Sequence, residues 1–229
     1  MAKQNASTYA DEPRWHAALA VLVALALYVT LPNKLTFGPV WIFPALVLGV
    51  LIPLLVLSPK RLLEMRVQRV LSIALIATVN LFNIISVVRL VLGILDSSHP
   101  AGYHAPTGHE LLVAGGEIWL TNILVYALWF WELDAGGPEP RSHERSALTF
   151  PDADFLFPQM LVGDRLVCVK DTWKPRFFDY VYLAFTNALA FSPTDVMPLT
   201  QTAKFLMIAE ASTSFVTIAV ILARAVGMT

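Results

Sequence analysis

The chain has 229 residues, of which 56% are hydrophobic and 14% charged, against roughly 45–50% and about 25% in soluble domains. Its mean hydropathy is +0.62, and its formal net charge of −1 with no recurring basic face excludes nucleic acid as an expected partner. Cys168 is the single cysteine, which rules out an internal disulfide and any cysteine-rich metal site.

Residues 1–14 balance Lys3 and Arg14 against Asp11 and Glu12 and read as a cytoplasmic tail rather than a secretory leader. Trp15–Leu31 follows as a retained anchor. Pro39–Leu57, Leu71–Leu95 and Leu111–Leu133 complete a four-helix membrane region over 15–133, each near the length of about 20 residues that a span requires. Trp41, Trp129 and Trp131 fall near segment ends, where headgroup-level placement is expected. Residues 134–176 form a polar loop. Within it, two short apolar runs around Gly163–Asp164 predict a small hairpin. Phe177–Phe191 is ambiguous. Its rise of about 22 Å falls short of a hydrocarbon core of about 30 Å, so it crosses a thinned bilayer or enters and turns back. Thr202–Val226 is a strong last segment, and residues 177–229 thus read as short helix, SPTD turn and long helix. The predicted fold class is an all-α polytopic membrane helix bundle with about six membrane segments, the fifth short or re-entrant.

Lys60, Arg61, Arg66 and Arg69 crowd the loop at 58–70, whereas the next short loop has no lysine or arginine. The positive-inside rule places the first loop in the cytoplasm. With six crossings, both termini are then expected to be cytoplasmic.

Catalytic signatures such as a P-loop, GxSxG or HExxH are absent from the sequence, so no enzyme is expected. Only His16 lies in a segment, at its edge, and Lys204 opens the last helix rather than sitting at mid-span. Haem and retinal are therefore not expected, nor any other cofactor. His99, His104, His109 and Glu110 share one loop, but their spacing and the intervening Pro100 and Pro106 predict ordinary loop residues and no metal site.

Arg89, Glu117 and Glu210 lie well inside apolar segments, where a charge costs roughly 2.5–3.5 kcal/mol unless paired or hydrated. Arg89 and Glu117 fall at matching depth on consecutive helices, which predicts a buried ion pair. Asn80, Asn83 and Ser86 lead to Arg89 in steps of three, a polar stripe suited to hydrogen bonding between helices or to a water-lined path. Pro193 and Pro198 forbid continuous helix between the last two segments, and Thr200 or Thr202 is placed to cap the final one. Asp195 in that turn and Glu210 below it, with Ser192 and Thr194, are the candidate ion pathway.

The order of parts near the C-terminus resembles the pore unit of tetrameric cation channels. Phe178–Thr186 is similar to the pore helix, FSPTD holds the filter position, and Lys204–Val226 is similar to the inner helix. The Thr-Val-Gly-Tyr-Gly filter is missing, so potassium selectivity is not implied. As a set, Trp119-Leu120-Thr121-Asn122, Trp131-Glu132-Leu133-Asp134, Gly136-Gly137-Pro138, Phe155-Leu156-Phe157-Pro158-Gln159 and Ala190-Phe191-Ser192-Pro193-Thr194-Asp195 resemble an uncharacterised family of bacterial integral membrane proteins (DUF1345-like, ion-channel-like). That resemblance implies a bacterial cytoplasmic membrane and no established activity. In cation channels the pore loop dips from outside, whereas the basic 58–70 loop would make it dip from the cytoplasm. Either that loop misleads about orientation or the fifth segment spans, and topology favours the second. A conduit for a small cation ranks ahead of a non-catalytic accessory or structural subunit. The expected partners are the lipid bilayer and either further copies of the chain or a larger membrane complex.

Overall fold

In the computed structural model the described residues are 14–39, 41–57, 65–95, 107–138, 141, 153–162, 173–189 and 195–226. They form an all-α bundle of α1 (Trp15–Thr30), α2 (Ile42–Leu57), α3 (Met65–Leu95), α4 (Gly108–Leu133), the short α5 (Pro158–Val162), α6 (Phe177–Ala188) and α7 (Gln201–Val226). Three helical stretches, Arg66–Gly93, Gly108–Gly136 and Gln201–Ala223, are long and apolar enough to cross a membrane, and α1 and α2 are shorter apolar helices. The chain is a membrane protein built around α4, which packs against α1, α3, α6 and α7. Its span is 61% buried inside the protein, against 17% for α7, so α4 is the axis and α7 lies at the periphery.

Local sequence sets the helix limits. Thr107 opens α4 with a reciprocal capping box, its side chain accepting from the Glu110 amide and its own amide donating to the Glu110 carboxylate. His109 and Glu110 are therefore in the first turn of α4, and His99 and His104 lie outside the described residues. Thr200 caps α7 by accepting from the Ala203 amide. The helix α3 begins at Met65, earlier than the expected Leu71, because Arg66, Gln68 and Arg69 are good helix formers although not apolar.

The packing fixes direction. A Cβ placed on Gly115 would lie 2.5 Å from Ile221 Cγ1, so α4 and α7 approach closely there, antiparallel, with the head of one beside the foot of the other. Arg14, Leu54, Ser72 and Glu132 line one cavity, which puts the head of α1, the foot of α2, the head of α3 and the foot of α4 at a common end. Lys174, Arg176 and Lys204 belong to the same end by chain position and contacts. This is the basic end of the bundle. Lys34 and Arg89 lie at the far end, beside the α1–α2 loop.

The expected crossing by Phe177–Phe191 is not made. The 12 residues of α6 rise only about 18 Å. Tyr180 in the first turn of α6 bonds to Asp134 at the foot of α4, whereas Asn187 in its last turn reaches Met207 and Glu210 within α7. By Met197–Pro198 (β2) the chain is back at the basic end, paired antiparallel with Phe155–Leu156 (β1). The fifth segment is thus re-entrant, and α1 and α7 begin at the same end. The small hairpin expected around Gly163–Asp164 is also replaced. Its first limb pairs with β2 and then forms α5, which opens on Pro158, a residue suited to a first helical turn. Residues 163–172 lie outside the described residues. Trp131 is 3% exposed, buried against Phe177.

A bundle in which α1 and α2 cross together with the three long apolar helices, while α6 turns back, makes a topological prediction. In a Cys168→Ser background, single cysteines replacing Arg14 and Asp195 should be labelled by a membrane-impermeant maleimide from one face. Cysteines replacing His109, and a tag fused after Thr229, should be labelled from the other. A tag accessible from the Arg14 face would restore a sixth crossing.

Candidate intramembrane polar site

Four helices contribute polar side chains to one buried cluster. Residues three or four apart share a helix face, and three of the helices use that spacing: Asn80, Asn83 and Ser86 on α3, Asn122 and Tyr126 on α4, and Glu210, Ser214 and Thr217 on α7, while α6 contributes Asn187 alone. Asn122, Glu210, Ser214 and Thr217 are fully buried, and Asn83 and Ser86 nearly so.

Asn122 is the centre. Its carbonyl oxygen accepts from Asn83 Nδ2 at 3.3 Å, and its own Nδ2 donates to Ser214 Oγ at 2.8 Å and to the Glu210 carbonyl at 3.3 Å. One turn along α4, the Tyr126 hydroxyl is within hydrogen-bonding reach of the Asn80 and Thr213 side chains. From α6, Asn187 Nδ2 donates to Glu210 Oε2 at 2.7 Å and to the Met207 carbonyl at 2.9 Å. Glu210 Oε1 is buried and has no hydrogen-bond partner among the described residues, and no cationic side chain pairs with this carboxylate there. A carboxylate wholly inside an apolar bundle with a single amide donor is a place for a proton or a small cation, since an isolated ion is costly there.

A second cluster closes the basic end. The chain leaves α4 through Ala135, Gly136 and Gly137, all with positive φ. Gly137 (φ 108°) adopts a conformation that side-chain-bearing residues rarely take, and a Cβ there would also approach the Glu132 carbonyl at 3.2 Å. This turn brings Arg141 back so that its guanidinium donates to the Asp134 carbonyl and lies over the Tyr180 ring. The buried Asp134 carboxylate accepts from Tyr180 Oη at 2.5 Å and from the amides of Asp154 and Phe155 at 2.8 and 3.2 Å. Asp154 in turn accepts from the Thr200 hydroxyl and the Leu199 amide.

The sequence-predicted residues fare differently. Glu210, Asn80, Asn83 and Ser86 fall in or beside the cluster. Asp195 is exposed at the basic end, before β2, and Ser192 and Thr194 lie outside the described residues. The predicted Arg89–Glu117 ion pair is corrected. Leu90 of α3 faces Gly115 of α4, so the two residues do share a depth. Arg89, one position and about 100° around the helix, turns instead to the α1–α2 loop. There it donates to the Lys34 and Thr36 carbonyls and lies 5.8 Å from the Phe37 ring centroid. No ion pair joins it to Glu117 among the described residues. Asn122, Asn187, Tyr126, Ser214 and Asp134 were not singled out by sequence. A polar residue at i+4 inside an apolar helix, as at Asn122–Tyr126 and Glu210–Ser214, is the signal that could have found most of them.

No family model matches this chain, and no curated protein or solved structure does so either.

Two outcomes follow from these contacts. Asp134→Ala strands three donors, each costing about 1–3 kcal/mol when left buried, and should lower the thermal midpoint in detergent well below that of Tyr180→Phe, which removes a single bond. Equal midpoints would contradict the node. Because Arg89 is bound to the α1–α2 loop and no ion pair joins it to Glu117 among the described residues, Arg89→Ala and Glu117→Ala should add within about 0.5 kcal/mol in the double variant. A larger coupling in folding measurements would reinstate the pair.

Proposed function

We propose that the chain is a conduit for a small cation in a bacterial cytoplasmic membrane, with Glu210 and Asn187 as its intramembrane station and Asp195 at the mouth. The observation that carries this reading is the re-entrant α6, whose C-terminal turn ends beside a buried carboxylate with one unpartnered oxygen. The C-terminal end of a helix carries roughly half a negative charge, and half-helix ends of this kind coordinate cations in transporters. The succession of short helix, polar turn and long helix supports the same reading through its resemblance to a cation-channel pore unit. The basic residues Arg14, Arg69, Arg141, Lys174, Arg176 and Lys204 favour a cytoplasmic basic end. The α6 segment then dips from the cytoplasm, with the N-terminus inside and the C-terminus outside.

A second reading, a non-catalytic subunit that packs against membrane partners, draws on the outer face of α7. Phe205, Ile208, Phe215 and Leu222 form one exposed apolar stripe there, which lipid or further copies of the chain would cover.

Purified protein in liposomes should pass a monovalent cation above the protein-free rate. Glu210→Gln should cut that flux at least about tenfold, equivalent to about 1.4 kcal/mol, and Asp195→Asn should cut it less, because an exposed charge is screened. Flux equal to protein-free liposomes under sodium, potassium and proton gradients would leave only the packing role.

A further inference from the structure

Glu210 is 0% exposed, and no space the size of a water molecule adjoins its Oε1. A metal cation brought to that oxygen would have to push protein atoms apart, whereas a proton adds no volume. A metal ion also gives up its water only where a set of oxygens replaces it, as rings of carbonyls or unwound helix carbonyls do in channels and transporters. Here α7 is helical without a break from Gln201 to Val226, and the Met207 and Glu210 carbonyls already accept from Asn187 and Asn122. The second carboxylate oxygen, Oε2, meets an N–H of Asn187 at 2.7 Å, a donor that suits a carboxyl group and repels a metal ion. A buried carboxylate with no cationic partner is neutralised most simply by a proton.

The helices around Glu210 bring one titratable group to it among the described residues, the Tyr126 hydroxyl of α4, while α3 and α6 bring the neutral Asn80, Asn83 and Asn187. The Tyr126 hydroxyl is within reach of Asn80 and of Thr213, which stands one turn from Glu210 on α7. A hydroxyl donates one hydrogen while accepting another, so it hands on a proton without an opening for water. Asn80 Oδ1, a further buried acceptor on this face, has no hydrogen-bond partner among the described residues.

We propose that the ion taken by Glu210 is the proton, held on Oε1 as a neutral carboxylic acid and relayed through the Tyr126 hydroxyl. The proposal rests on the conduit reading and names its ion. An O–H bond forms at Oε1 as one breaks in a hydronium ion, leaving water, and release reverses the exchange, so no co-reactant is required.

Liposomes carrying the full chain and an internal pH-sensitive dye, under an imposed membrane potential, test it beside parallel vesicles in which sodium and rubidium uptake is counted. Proton entry should exceed the protein-free rate, and uptake of the two metal ions should match it, which decides the ion without any variant. Glu210→Gln, which keeps an oxygen for Asn187, should cut proton entry at least about tenfold. It should also remove an infrared carbonyl band of a protonated carboxylic acid at neutral pH. Tyr126→Phe should slow proton entry to a similar degree and leave that band in place. Metal-ion uptake that Glu210→Gln abolishes would overturn the proton and keep the conduit, whereas no movement of any ion would remove both. Proton entry or an infrared spectrum unchanged by Glu210→Gln would overturn Glu210 as the carrier, and entry unchanged by Tyr126→Phe would overturn the relay.

Discussion

The carboxylate of Asp134 decides the path of the C-terminal half. It binds Tyr180 at the head of α6 and the amides that open β1, and Asp154 beside it binds the residues that lead into α7. Both the approach to α6 and the approach to α7 are thus tied to the foot of α4. A helix of 12 residues tethered in this way cannot cross; it has to penetrate and return. Non-helical backbone within a membrane is tolerated only when protein or enclosed water shields it. α6 itself is packed against both α4 and α7.

Magnitudes separate packing from function in the interior. Hydrogen bonds between membrane helices average about 0.6 kcal/mol and reach about 1.7. Bonds of that size are an adequate reason for Asn83, Asn122 and Ser214, which are neutral and mutually satisfied. They are not an adequate reason for Glu210. A charge at mid-helix costs roughly 2.5–3.5 kcal/mol even on lenient scales, more than the single bond from Asn187 offsets, and a neutral amide would serve helix packing at lower cost. Helix adhesion alone is therefore not a sufficient reason for an acid at this position.

Much of the fold was legible because long apolar runs are unmistakable: the limits of α1, α2, α4 and α7 differ from expectation by only a few residues. The path of the fifth segment was not. Its shortness was plain, yet what turns it back is a ladder of two residues per strand and a carboxylate assigned to a polar loop, and neither has a periodic signature. The site was half legible. Asn80, Asn83, Ser86 and Glu210 stood out as polar residues in apolar surroundings, whereas Asn122 and Asn187 acquire their meaning only from which faces meet. Arg89 and Glu117 illustrate the difference. Loop length fixes depth, which was read correctly, but rotation about the helix axis depends on packing, and Leu90 rather than Arg89 is turned toward α4.

The two ends of α6 differ in how their charge is matched. Its N-terminal, positive end is matched by acids: Asp179 accepts from the Arg176 amide at 2.7 Å, and Asp134 accepts from Tyr180 one residue later in the same turn. Its C-terminal, negative end has no such match among the described residues. The Leu189 amide bonds back to the Phe185 carbonyl, and the carboxylate that Asn187 meets there is Glu210, again an acid. Partial negative charge and a carboxylate therefore converge inside the bundle, where low polarity strengthens their repulsion. Positive charge at that point relieves both, whether as a proton on the carboxylate or a cation beside it. A helix that spanned the membrane would instead carry its negative end out to water, so it is the turning back of α6 that leaves this negative end inside the bundle beside Glu210.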